Sequence, residues 1–148
     1  MTDELLNPGH CVGLNLYKTA RAVSRVYAEE MRPAGLARSQ FAILGTLERS
    51  GPTALSTLAE ALYMDRTTLT RNLKPLEKAG FAVRHRSETD ARVSLVEITA
   101  SGRDKFREAR RYWRQAQRRM LELLGEDEWR ALESKLLAVR ELAAEEAR

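Results

Sequence analysis

Several residue types that build stable sites are scarce in this chain of 148 residues. It has one cysteine, Cys11, which excludes a disulfide within the chain and any zinc site made of several cysteines. It has two histidines, His10 and His85, and neither lies at metal-ligand spacing from acids or the cysteine. We therefore expect no bound metal and no cofactor.

Long apolar stretches are missing as well. No run approaches the roughly 20 apolar residues that a membrane span requires. Residues 1–8 lack the basic, then apolar, then small-residue order of a secretory signal. The sequence therefore predicts a cytoplasmic protein with no membrane partner.

Because no Ser/His/Asp set, carboxylate pair or phosphate-binding glycine loop stands at usable spacing, we predict no catalytic residue and no enzyme activity.

The length and composition suit one globular domain, 1–148, with 43% apolar and 31% charged residues. The formal net charge is +4, but its distribution is uneven. Residues 100–120 hold eight basic residues against two acids, whereas the residues after Leu121 hold eight acids against four basic residues. A basic stretch on a helix is either a face exposed to solvent, which we favour here, or a surface that binds nucleic acid.

Apolar spacing predicts three helices in the first part of the chain. Residues 12–31 repeat apolar side chains at helical intervals. A second helix is predicted to begin after Ser39, a residue type that favours the N-cap. A third is predicted from Ser56 or Thr57, where a capping box fits, to about Tyr63.

A fourth helix is predicted from the N-cap residue Asp65 to Gly80, a residue that readily takes the left-handed conformation found at helix ends. One face of this helix is apolar and holds Leu69, Leu73 and Leu76. The opposite face is polar and basic and holds Arg66, Thr67, Thr70, Arg71, Lys74 and Lys78. We expect Pro75 to kink the helix without breaking it, because the leucine face continues past the proline.

Beyond the fourth helix the pattern changes to two short strands, 81–86 and 92–99, joined by a polar loop. Thr99 is predicted to cap a long helix over 100–124, and a last helix covers 127–144. Apolar residues of both helices recur with a period near 3.5, which is typical of a seam between helices. Such seams would be exposed in a single chain, which predicts a dimer; the alternative is that they pack within one chain.

Two short helices, a polar turn, a basic-faced helix and a basic hairpin, in this order, are typical of a winged helix-turn-helix. We predict a mainly α fold with a small β-hairpin wing, in which 36–99 form the DNA-binding lobe and the seams of 100–146 supply dimerisation helices. In such folds the second helix of the pair lies in the major groove. Double-stranded DNA is therefore the expected partner, and a solvated amphipathic helix in a bundle is the alternative.

Several short motifs resemble the MarR family of bacterial transcription regulators. They are LAEAL at 58–62, MDRTTLTR at 64–71, LEKAGF at 76–81, and Asp90-Ala91-Arg92 followed by Ile98-Thr99 and Gly102. The resemblance implies that Arg92 enters the minor groove and that Asp90 holds it in place. It also implies base and phosphate contacts by Arg66, Thr67, Thr68, Thr70, Arg71 and Lys74.

The resemblance, which extends over about 14–144, further implies a sequence-specific regulator, most often a repressor, that acts as a homodimer in which 10–32 joins 100–146 as a dimerisation helix. Twofold symmetry then predicts a pseudo-palindromic operator with half-sites one helical turn, roughly 10 base pairs, apart. A small aromatic or lipophilic effector, bound between the dimer helices and the DNA-binding lobe, is the expected second partner.

Two alternatives stay open. One branch of the family senses organic hydroperoxides with a cysteine at the start of its first helix, but that cysteine aligns with Gly13, and an expected tyrosine appears as Arg38. We therefore expect Cys11 to be inert and keep a redox-sensing regulator through Cys11 as one alternative. The other is a non-specific architectural DNA-binding protein using 100–120, which competition with bulk DNA would separate from a specific regulator.

Overall fold

The computed structural model describes residues 2–90 and 92–146. In this part of the chain, helices and a three-stranded antiparallel sheet of order β1-β3-β2 confirm the predicted mainly α fold with a small β-hairpin. The elements are α1 (Val12–Met31), α2 (Arg38–Ser50), β1 (Thr53–Ala54), α3 (Leu55–Ala61), α4 (Arg66–Lys78), β2 (Ala82–Arg86), β3 (Ser94–Ile98), α5 (Ala100–Leu124) and α6 (Glu126–Glu146). Ala91, part of the predicted hairpin loop and of the Asp90-Ala91-Arg92 motif, lies outside the described residues.

The predicted start of α2 is wrong. The helix begins at Arg38 and its N-cap is Ala37, whose backbone N–H donates to the side-chain oxygen of Gln40 at 3.0 Å. The hydroxyl of Ser39 instead donates to Oδ1 of Asn72 in α4 at 2.6 Å. The polar side chain expected to cap its own helix therefore joins two helices.

The predicted capping box of α3 is also wrong, because a short strand precedes the helix. Thr53, in β1, pairs with Val96 of β3 in the antiparallel sheet. This pairing fixes the chain up to Ala54, and the helix begins at once with Leu55. Thr57 thus lies inside the first turn, where it does not act as the N-cap.

The core of the lobe lies beneath α4. The three predicted leucines, Leu69, Leu73 and Leu76, are fully buried, which confirms the apolar face. They belong to the same core cluster as Ile43, Leu44, Leu47, Leu58, Val96 and Ile98. Burying a leucine stabilises the fold by about 1.5–3 kcal/mol, so these side chains fix which face of α4 points outward. The helix continues through Pro75 to Lys78, so the proline does not break it.

The end of α4 and the start of α5 meet at one corner. Gly80 has φ +72°, and the N–H of Phe81 donates to the carbonyl of Leu76 at 2.8 Å. As predicted, Thr99 caps α5: its Oγ1 accepts from the N–H of Gly102 at 3.0 Å and donates to the carbonyl of Gly80 at 2.6 Å. A Cβ on Gly102 would lie 2.0 Å from the Phe81 oxygen, so only glycine allows α5 to start this close to the corner.

The long helices α1 and α5 pack against each other, and Met31 and Ala109 join them to the core of the lobe. Glu30 of α1 pairs with Arg119 of α5 at 3.2 Å, and α6 follows α5 after Gly125. None of the side chains described in α6 is fully buried, and Leu123 and Leu142 are 74% and 62% exposed. Among the described residues, no helix combines the length and apolar character needed to cross a bilayer.

Candidate nucleic-acid interface

The first turn of α4 is held by its N-cap. Oδ1 of Asp65 accepts the backbone N–H of Thr68 at 2.8 Å, and Oδ2 accepts the Thr68 hydroxyl at 2.6 Å. These hydrogen bonds, the side-chain one first, hold the pKa of Asp65 below its usual range. The charged carboxylate also suits the positive end of the helix dipole. The Thr68 hydroxyl thus already donates to Asp65. Its DNA contact stays a prediction.

The outward face of α4 brings together most of the predicted contact residues. They line a shallow concavity of about 370 Å³ and are Arg66, Thr67, Thr70, Arg71 and Lys74. Among the described residues, none of the three cations Arg66, Arg71 and Lys74 takes part in an ion pair. Their full charges are therefore available to an anionic partner.

The wing forms a second basic surface. A concavity of about 590 Å³ is lined by Arg84, His85, Arg86, Arg92 and Ser94. Oδ1 of Asp90 accepts the backbone N–H of Arg92 at 2.9 Å, and no ion pair joins the two side chains in the described part of the chain. Asp90 thus holds the backbone of the tip, so that the Arg92 guanidinium stays free to reach a partner.

Two contacts outside the predicted set orient α4. Nε of Arg84 in β2 pairs with Oε1 of Glu77 in α4 at 2.9 Å, which ties the wing to the helix. The Nδ2 of Asn72 donates to the carbonyl of Thr68 at 2.8 Å, while its Oδ1 accepts from Ser39 of α2. The sequence signal for the first contact is weak: opposite charges on either side of the Gly80 turn.

A cleft of about 670 Å³ is lined by α1, α2, α5 and the end of α3. Phe41 stacks on Phe106 and on Trp113, with ring centroids 4.9 and 6.0 Å apart, and all three rings line the cleft. Arg38 and Arg110 add positive charge. The hydroxyl of Tyr27 donates to Oε1 of Gln117; burial raises the pKa of Tyr27, and the charge of Arg38 opposes this rise. The cleft therefore offers apolar walls with cationic groups at its edge.

Cys11 lies at the N-cap of α1 and is exposed. Its Sγ accepts the backbone N–H of Leu14 at 3.4 Å. A capping thiol needs no reactivity, so this contact gives Cys11 a structural role; the inert cysteine stays the prediction, and redox sensing stays the alternative.

Comparisons with known proteins point to one family. The sequence profile of the MarR family matches residues 36–94, which include both basic concavities. The transcriptional regulator SarZ of Staphylococcus epidermidis is 28% identical over 88 residues, which are 60% of each chain. The matched part thus spans about 60% of the length of this relative.

Two solved structures match nearly the whole chain. The transcriptional regulator MosR of M. tuberculosis, in complex with DNA, is 30% identical with a TM-score of 0.82, and the match covers 93% of this chain and 98% of MosR. The transcriptional repressor CouR, bound to a 23-mer DNA duplex, is 26% identical with a TM-score of 0.82, and the match covers 95% of this chain and 98% of CouR.

Proposed function

Since the chain belongs to the MarR family, we propose that it is a sequence-specific DNA-binding transcription regulator that acts as a homodimer and represses its targets. The observation that carries the proposal is the outward face of α4. It presents Arg66, Arg71 and Lys74, free of ion pairs among the described residues, beside a basic wing. The 36–99 lobe is then the DNA-binding part, and 10–32 and 100–146 supply the dimerisation helices.

Shape and chemistry support a major-groove position for α4. The groove, about 12 Å wide, admits one α-helix, and guanine offers two acceptors to an arginine such as Arg71. The half-buried Thr70 has a methyl group for thymine and a hydroxyl for phosphate. With α4 in the groove, the wing reaches the neighbouring backbone, where Arg92 would enter the narrow minor groove.

Exposed apolar side chains support the homodimer. Large apolar residues of α1, α5 and α6 are open to solvent in one chain, namely Val12, Leu14, Leu16, Tyr17, Leu123, Leu124, Leu132, Leu137, Val139 and Leu142. A surface of this kind on a soluble protein marks a contact. A twofold partner would cover it and would place two copies of α4 one helical turn apart on DNA.

Dimerisation is tested by Leu142→Asp, which places a charge on this surface. Sedimentation should find a dimer for the wild type and a monomer for the variant. Val83→Asp is the matched control, because Val83 is also exposed but lies in β2 of the lobe. If Leu142→Asp stays dimeric at low concentration, the α6 surface is not the interface.

The aromatic cleft supports a small effector as the ligand that relieves repression. Its stacked rings suit a planar aromatic or lipophilic body, and Arg38 and Arg110 suit an anionic group on it. The cleft is lined by both the lobe and the long helices α1 and α5, so an occupant would contact both and change the angle between them. We therefore expect 1-naphthoate to quench Trp113 fluorescence in a Trp129→Phe background and to weaken DNA binding. Its neutral analogue 1-naphthalenemethanol should act more weakly.

Selection from a random duplex pool tests the central proposal. The wild type should enrich a pseudo-palindrome and bind it about 10³-fold or more tightly than random DNA. Lys135→Ala, a charge change in α6, should leave this ratio unchanged. A protein that enriches no sequence and binds all DNA alike would instead be the non-specific architectural alternative.

A further inference from the structure

The turn that joins α3 to α4 holds a residue in an unusual conformation. Tyr63 has φ +50°, in the left-handed region that glycine adopts freely and that other residues adopt at a cost. Its N–H donates to the carbonyl of Glu60 at 3.0 Å, and the N–H of Met64 donates to the carbonyl of Ala59 at 2.9 Å. This is the hydrogen-bond pattern of a Schellman helix end, whose left-handed position usually holds glycine. The backbone therefore favours glycine where this chain has tyrosine.

Burial does not explain the tyrosine, because the residue is 63% exposed. Its ring does contact a side chain from another element: the guanidinium carbon of Arg140 in α6 lies over the ring, 5.1 Å from its centroid. A cation at this distance from an aromatic face is attracted to it. The other cation–π contact in the described part of the chain, Arg21 over Tyr17, stays within α1. The contact of Tyr63 with Arg140 thus joins two separate elements.

The contact between Tyr63 and Arg140 lies between the start of α4 and α6. Tyr63 lies two residues before Asp65, the N-cap from which α4 starts. Arg140 lies in α6, the helix whose exposed apolar side chains are proposed to meet a second copy of the chain. The contact therefore connects a helix of the dimer to the turn at the base of the helix that faces DNA.

We propose that Tyr63 and Arg140 are positioning residues for DNA binding. Arg140 holds the ring of Tyr63, and α6 thereby sets the angle at which α4 leaves its turn. Neither side chain touches DNA. The inference rests on the proposed function, since it requires α4 to enter the groove. Strained backbone is kept where the surrounding structure holds it, so removal of the Arg140 guanidinium should change the turn first.

A double-mutant cycle tests the coupling. The variants are Tyr63→Gly, which removes the ring and suits the left-handed backbone, Arg140→Gln, and the two combined. Binding is measured by fluorescence anisotropy at fixed salt on the duplex that the wild type enriches. Each single variant should weaken binding about threefold to tenfold. The double variant should bind DNA no less tightly than the single variant with the lower affinity. Tyr63→Phe keeps the ring and should bind like the wild type.

Controls distinguish a positioning role of Arg140 from direct contact with DNA and from the loss of one positive charge anywhere in α6. Arg130→Gln makes the same charge change in α6, where Arg130 pairs with Glu126 and Asp127 of its own helix, and it should bind like the wild type. The slope of log affinity against log salt should be unchanged in Arg140→Gln. Had Arg140 neutralised a phosphate, its removal would lower that slope by about 0.9 for each of the two copies in the dimer. Sedimentation should find all variants dimeric.

Three results would each overturn the proposal: single effects that multiply in the double variant, wild-type affinity for Arg140→Gln, or a shallower salt slope for that variant. A loss of the dimer in Arg140→Gln would overturn it as well, since the effect would then come from assembly. Failure of the wild type to enrich any sequence is a different outcome, because it removes the proposed function on which the inference rests.

Discussion

Two helices of this chain are rich in positive charge, and the structure treats them differently. On α4, the cations Arg66, Arg71 and Lys74 have no ion-pair partner among the described residues and line one concavity. On α5, four of the eight basic residues in 100–120 pair with acids. These pairs are Arg103–Glu48, Lys105–Glu108, Arg107–Asp104 and Arg119–Glu30. Half of the basic residues of this stretch are thus neutralised by acids, whereas the three cations of the α4 concavity are not.

The physical difference lies in what a phosphate would meet. An arginine paired with a carboxylate must leave it to bind phosphate, and the acid stays behind to repel the DNA. The acid within α4, Glu77, is already paired with Arg84 of the wing. We therefore expect α4 to bind DNA and α5 to be a solvated, partly paired face, as its charge pattern also suggests.

The largest expected contrast comes from Arg71→Ala compared with Arg114→Ala, which removes an exposed arginine from α5. If Arg71 contacts a guanine edge, its loss should cost about 1–3 kcal/mol per half-site and relax selectivity at one symmetric pair of positions. Arg114→Ala should leave operator affinity and selectivity unchanged. Anisotropy titrations on single-base operator variants measure both. Equal losses for the two variants would erase the distinction between the helices.

A smaller effect is expected at the wing. Arg92→Ala should weaken operator binding while the melting temperature stays the same, because an exposed arginine at the tip packs little against the core. Asp90→Ala should act in the same direction but more mildly, since the Asp90 carboxylate accepts the backbone N–H of Arg92 and does not itself carry the positive charge. Binding titrations with parallel thermal melts check this order. Wild-type affinity in Arg92→Ala at unchanged stability would exclude a role for the tip.

A third contrast concerns the binding of phosphates. Lys74→Ala should weaken binding to all sequences about equally. The slope of log affinity against log salt should become shallower by about 0.9 for each phosphate that the variant no longer neutralises, and a symmetric dimer has two such phosphates. Arg118→Ala, on α5, should keep the wild-type slope. Titrations from low to high salt on operator and random DNA provide the measurement. An unchanged slope for Lys74→Ala would mean that this end of α4 does not meet the backbone.

The sequence predicted most of the elements that carry this comparison. The spacing of Leu69, Leu73 and Leu76 predicted the face of α4 correctly because burial at helical intervals is a local pattern. The bounds of α1 and α5 followed from apolar repeats and from the cap residue Thr99. The charges of 100–120 could be counted, but Glu48 and Glu30, which neutralise two of them, come from distant elements that only the fold brings close.

Other features of the structure could not be predicted from the local sequence. Strand β1 has two residues, Thr53 and Ala54, and exists because β3 pairs with it from about forty positions away along the chain. The aromatic cleft is assembled from four helices, and no single segment predicts it. Tyr63 occupies a left-handed position where sequence rules expect glycine. The sequence therefore predicted the turn between α3 and α4 but not the strained backbone of Tyr63.

The smallest expected contrast lies in the caps, Asp65 for α4 and Thr99 for α5. Hydrogen bonds from Thr68 lower the pKa of Asp65 in the folded state below its unfolded value of 3.8. A group with a lowered pKa stabilises the fold above its unfolded pKa, and this contribution is lost as the pH falls through the folded pKa. Thr99 does not titrate, so its cap is independent of pH.

Thermal melts at pH 7, 5, 4 and 3 should therefore separate the two helices. Asp65→Asn keeps a capping oxygen but no charge, so its stability deficit relative to the wild type should be present at pH 7 and shrink below pH 4. Thr99→Ala should show a deficit of constant size across the series, because the hydrogen bonds that it removes, from the Gly102 N–H and to the Gly80 carbonyl, carry no charge. A constant deficit for Asp65→Asn would show that the carboxylate charge adds nothing to the α4 cap, and that the lowered pKa has no consequence for the stability of this helix.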